Sequence, residues 1–153
     1  MNELIQNYLA GVEALKKAIA GMSAEQLKAR PVAGKWSTLE VVAHLADFEP
    51  ILADRMKRII ALDKPLLLGA NENQFAAALA YHERDTAEEL ALIEATRKQM
   101  AHILEKLPPE AFQRQGVHSE RGLLTLEQIL TGAVRHIPHH IPFIQEKRTA
   151  LGV

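Results

Sequence analysis

Four stretches of this chain, each about 20 residues long, repeat apolar side chains every three to four positions, the spacing of one helix face. The first covers roughly 2–21, with Leu4, Ile5, Leu9, Val12, Leu15 and Ile19. The second covers roughly 38–62, the third 86–107 and the fourth 125–149. Start signals support three of them. Ser37-Thr38-Leu39-Glu40 and Thr125-Leu126-Glu127-Gln128 read as capping boxes, and Asp85-Thr86-Ala87-Glu88 carries another cap signature. Pro108-Pro109 stops the third helix. Shorter helices fit 23–29 and 71–81. "RPVAGK", "DKPLLLGANE" and "PPEAFQRQGVHSERG" read as loops. No stretch alternates convincingly as a strand. The expectation is an all-α chain, a four-helix bundle with short extra helices in its connections, forming one domain over 1–153.

Composition narrows the function classes. The formal net charge is −1 over 153 residues, so no global field draws nucleic acid or anionic lipid. "DRMKRII" is basic but lacks interleaved aromatic residues, which argues against a nucleic-acid surface. With no cysteine, disulfides, thiolate catalysis and Cys-ligated zinc are excluded. The N-terminus lacks the pattern of a signal peptide, and no apolar run reaches the roughly 18 residues of a membrane span. A cytoplasmic protein with no membrane partner is expected.

The histidines carry the chemistry. On the second helix Val41, Leu45, Phe48, Leu52, Met56 and Ile59 form the apolar stripe, and His44 lies at its edge. On the fourth, Leu126, Ile129, Ala133, Ile137 and Ile144 point inward, and His136 and His140 share that arc. Residues at i and i+4 stand about 5–6 Å apart at Cβ, close enough for two imidazoles to share one ion. A facing helix can add a ligand, and His44 is the candidate. Three His without Cys suit zinc, nickel or another divalent ion, with positions left for water. The alternative for His44 is a core histidine bonded to a backbone carbonyl. His139 reads as solvent facing or as a support for the other rings. His82, His102 and His118 read as surface or loop residues.

The motifs "KWSTLEVVAHLADFE" and "RHIPHHIPFIQEKR" resemble the DinB-like/YfiT superfamily of metal-binding four-helix bundles. The first is similar to the family's Trp-Ser followed by His-Leu-x-x-x-Glu, the second to its late His-x-x-x-His helix. The resemblance runs over nearly the whole chain. It implies a zinc or nickel site at His44, His136 and His140, a homodimer, and either thiol-dependent S-transfer or metal-dependent hydrolysis of a small molecule. A low-molecular-weight thiol would then be a cosubstrate.

Pro138 and Pro142 stand inside the metal helix. They remove the amides that would bond the Val134 and Pro138 carbonyls, and a kink is expected. Such a kink could aim the two histidines or spoil their spacing, in which case His139 could replace one. Asp47 and Glu49 follow His44 and are candidate general bases, with Asp47 also able to orient the imidazole. Trp36 is either a hydrophobic staple or part of a pocket mouth. Arg55, on the same face as His44, is either ion-paired or a holder of an anionic substrate. The alternative to an enzyme is a non-catalytic metal- or ligand-binding module, or a helical dimer without metal.

Overall fold

The computed structural model describes residues 1–153. The long helices are α1 (Asn2–Ile19), α3 (Thr38–Ala61), α5 (Thr86–Leu104) and α6 (Leu126–Leu151). Two short ones, α2 (Ala24–Lys28) and α4 (Glu72–Ala78), occupy the connections. The caps form as the residue types require. Ser37 Oγ accepts from the Glu40 amide at 3.1 Å, and Glu40 Oε2 accepts from the Ser37 amide at 2.7 Å. Thr125 and Gln128 do the same at the start of α6, and Asp85 caps α5. Each box satisfies amides that a helix start leaves without partners.

α1 packs against α5 and α6, and so does α3. Around the bundle the order is therefore α1, α6, α3, α5, with α1 and α3 diagonal. The connection 20–37 crosses that diagonal. α3 is the most enclosed helix, buried along Leu39–Ala46 and again at Glu49, Ala53, Met56 and Ile59.

The core contains a charged layer. Arg97 of α5 is fully buried. Its Nε and Nη2 donate to Glu49 Oε2 on α3 at 2.9 and 2.8 Å. Nη1 donates to the Tyr8 carbonyl of α1 at 2.6 Å, and Nη2 to the Ala133 carbonyl of α6 at 3.0 Å. The Tyr8 hydroxyl donates to Glu49 Oε1 at 2.5 Å. Gly11 makes room for this layer, since a Cβ there would stand 2.3 Å from Arg97 Nη1.

One finding departs from the sequence reading and a second bears on it. The chain is mostly helical, but it also forms a small three-stranded sheet: β1 (Leu66–Leu67), β2 (Gln115–His118) and β3 (Gly122–Thr125). β1 runs parallel to β2, and β2 pairs antiparallel with β3. Strands of two and four residues are too short to show an alternating pattern. Their partners come from two segments read as loops. Second, α6 runs in one piece through Pro138 and Pro142. Both prolines are exposed, so water can reach the carbonyls they leave without donors. Pro50 is a third proline carried inside a helix, in α3.

The charged layer makes a stability prediction. Arg97→Met strands the buried Glu49 carboxylate and should cost about 3–5 kcal/mol in urea unfolding. Glu49→Leu combined with Arg97→Met should recover much of that loss. A single variant that costs under about 1 kcal/mol would show the layer to be structurally idle.

Candidate metal centre

His44 comes from α3, and His136 and His140 from adjoining turns of α6. Because α3 and α6 are neighbours in the bundle, the three rings meet. Their centroids lie 4.7 to 5.1 Å apart. One nitrogen from each ring falls within 4.8 Å of the others. Nε2 of His44 stands 3.1 Å from Nε2 of His136. Two nitrogens on one tetrahedral zinc at about 2.0–2.1 Å would be about 3.3–3.4 Å apart, so the spacing fits a shared ion. The i, i+4 geometry survives the prolines. His139 is exposed and outside the group.

The rings are held in their neutral form. Burial lowers His44 and His136 to about 3 and His140 to about 4, each from an ordinary 6.5. Mutual repulsion adds to it: His140 acts on His44, and His44 and His140 act on His136. His139 acts likewise on His140. A neutral imidazole has a free lone pair, which is what a metal requires. One hydrogen bond between the two facing Nε2 atoms would serve only that pair. Nδ1 of all three rings is buried without a protein partner. Three desolvated imidazoles with so little internal compensation are costly as packing residues and suited to binding an ion.

Aromatic rings wall the group. Trp36 lies 5.3 Å from His44, Phe48 4.5 Å from His44 and Phe143 5.7 Å from His140, between centroids. Trp36 is thus at the pocket wall. A pocket of about 240 Å³ opens over His140, lined also by Trp36, Glu72 and Lys147.

The two acidic candidates lie elsewhere. Glu49 is consumed by Arg97 and Tyr8. Asp47 pairs with Arg84 at 2.8 Å, and Arg84 also holds Glu89. Asp47 does not orient His44, whose Nδ1 has no partner. His82 and His102 are exposed, but His118 is buried at the end of β2. Arg55 forms no ion pair; it donates to the Leu68 carbonyl at 2.5 Å.

Two residues that the sequence reading did not single out stand at the site. Glu72, the first residue of α4, places Oε2 3.9 Å from His44 Nε2. Its signal was only a cap: Asn71 accepts from the Asn73 and Gln74 amides. Lys147 lies two turns beyond His140 and is 2% exposed. Its Nζ folds back to the Phe143 carbonyl at 3.0 Å. The recurrence 136, 140, 147 on one face was its only trace.

Comparisons with known proteins agree with this architecture. Residues 9–144 match the model of the DinB superfamily. A candidate metal-dependent hydrolase of Oceanobacillus iheyensis is 28% identical over 85% of this chain and 75% of its own length. YfiT of Bacillus subtilis, also a candidate metal-dependent hydrolase, is 28% identical over 90% of this chain and 78% of its own. The solved YfiT structure, described as a probable metal-dependent hydrolase with an unusual four-helix bundle topology, superposes with a TM-score of 0.90. It covers 99% of this chain and 87% of that one. The mycothiol-dependent maleylpyruvate isomerase shares the fold at a TM-score of 0.72 and 12% identity, over 92% of this chain and 59% of that one.

The buried imidazoles make a pH prediction for metal-free protein. Below an ordinary histidine value of 6.5 the unfolded chain takes up protons that the folded chain refuses until pH approaches 4. Stability therefore falls with pH through that window, by up to about 1.4 kcal/mol per pH unit for each histidine. Urea unfolding at pH 7 and pH 5 should show the loss, and His44→Gln should reduce it. An identical pH slope in the variant would contradict the burial of a neutral ring.

Proposed function

Because this chain belongs to the DinB superfamily, we propose that His44, His136 and His140 hold one divalent ion, zinc or nickel, in an enzyme acting on a small molecule. The reading we favour is metal-dependent hydrolysis. The observation that carries it is the convergence of three neutral imidazoles beneath an open pocket with a carboxylate at its rim. The hydrolase descriptions of the relatives in Oceanobacillus iheyensis and Bacillus subtilis support it.

A divalent ion held by His44, His136 and His140 would supply a Lewis acid able to bring the pKa of a bound water near 7. The chain's own residues do the rest. Glu72 is the carboxylate free of strong ion pairs at the site, and its Oε2 is placed to accept the proton of an attacking nucleophile. Lys147 presents a buried ammonium that can hold an anionic part of the substrate. Trp36, Phe48 and Phe143 exclude water and give the substrate an apolar surface. Thiol transfer is the second reading. It needs an external low-molecular-weight thiol, since the chain has no cysteine, and the thiol-dependent isomerase of the same fold supports it. A homodimer belongs to the same reading. The exposed Val117 and Leu123, paired across β2 and β3, are apolar surface that a second copy would cover. A cytoplasmic location belongs to the same proposal; no helix is long and apolar enough to cross a membrane.

Metal analysis of tag-free protein should find one ion per chain, lost in His44→Ala and in His136→Ala. Glu72→Gln should keep the ion and lose about 10²–10⁴-fold in turnover. Activated esters, and electrophiles with added thiols, form the two arms of the assay. Turnover confined to the thiol arm would select the second reading. Absence of metal after addition of excess zinc and nickel would overturn both.

A further inference from the structure

A sizeable cavity lies away from the histidines. It holds about 570 Å³, within the range of ligand pockets. It lies between the C-terminal half of α3 and the segment 66–70. Its wall is apolar at Pro50, Ile51, Leu66, Leu68 and Phe75. Phe75 packs against Phe48 in a tilted pair with ring centroids 5.6 Å apart, and Phe48 against His44 at 4.5 Å. This ring pair stands between the cavity and the metal centre. Along α3, Arg55 is about 16 Å from His44 at 1.5 Å per residue.

The charges in the wall do not cancel. Asp54 and Arg58 pair with each other at 2.6 Å. That leaves Arg55, the third charged lining residue. It has no carboxylate at salt-bridge distance. Of its donors, only Nη2 has an acceptor, the Leu68 carbonyl, and its Nε is buried without a partner. Burial works against its charge, with Glu120 opposing that effect from a distance. A guanidinium half withdrawn from water and not neutralised favours an anion that can meet its planar fork.

The cavity is also held open by the fold. The Gly69 amide donates to Ser119 Oγ at 2.8 Å, which ties the segment 66–70 to the turn between β2 and β3. The approach there is close: a Cβ on Gly69 would stand 2.6 Å from Glu120 Oε1. A site of this kind does not have to be ordered by its ligand.

We propose that this cavity is a second ligand site, for an organic anion with an apolar body such as a medium-chain carboxylate, with Arg55 as the anchor of its charge. The proposal does not rest on the metal centre. Octanoate is the probe, with octanol and octylamine as neutral and cationic controls of the same length. Calorimetry, or carbon-13 shifts of labelled octanoate, reads the binding. Octanoate should bind at least tenfold more tightly than octanol, and octylamine should not bind. Arg55→Gln should abolish that preference while leaving octanol binding and metal content unchanged. Ala70→Trp fills the cavity while keeping Arg55 in the chain, and should remove octanoate binding in a chain whose helical circular dichroism is intact. Octanoate that binds Arg55→Gln as well as wild type, binds no better than octanol, or survives Ala70→Trp in a folded chain would overturn the proposal. So would the absence of octanoate binding at millimolar concentration.

Discussion

One guanidinium touches every long helix of this bundle. Arg97 extends from α5, donates to the Glu49 carboxylate on α3, and donates to the carbonyls of Tyr8 on α1 and Ala133 on α6. A charge withdrawn from water is expensive unless it is paired and hydrogen-bonded. An alternative register that broke one of these bonds would leave part of that expense uncompensated, so the layer selects one arrangement of the helices. Apolar packing alone would be less selective, because aliphatic side chains tolerate small slips. Gly11 belongs to the same device, since any Cβ there would meet the guanidinium.

The register so chosen builds the site. Ala133 lies one turn before His136, and Glu49 lies five residues after His44. Locking α3 to α6 at this level brings the imidazoles into one group at the next. The two layers differ in what they leave unsatisfied. In the Arg97 layer, carboxylate and guanidinium find each other. In the imidazole layer, each Nδ1 is buried and lacks a protein partner. A protein does not gain stability from such a layer, which marks it as a candidate functional site. The prolines of α6 are compatible with this because both face outward.

The connections contribute as much as the bundle. α4 supplies Glu72 on one side of the histidines and Phe75 on the other side of the Phe48 ring. The short sheet supplies the anchor for the segment that closes the larger cavity. Two concave regions thus share one aromatic partition, one with three imidazoles at its floor and the other with a guanidinium.

The sequence by itself determined the helices, their caps and the histidines that meet. Those are local facts: helical periodicity, an Ser-x-x-Glu box and an i, i+4 pair are each written within a few residues. Paired with the spacing of His136 and His140, the position of His44 at the edge of an apolar stripe was enough to nominate the group. The tertiary structure alone decided which acids stand near it. Asp47 and Glu49 are close to His44 in sequence, but rotation about the helix axis points them at Arg84 and Arg97. Glu72 is 28 residues away along the chain and adjoins His44 because α4 folds back across the pocket. The strands were equally hidden, since a two-residue strand has no pattern until its partner, about 50 residues later, supplies the ladder. Proximity between residues far apart along the chain arises from packing, and packing is settled by the whole molecule at once.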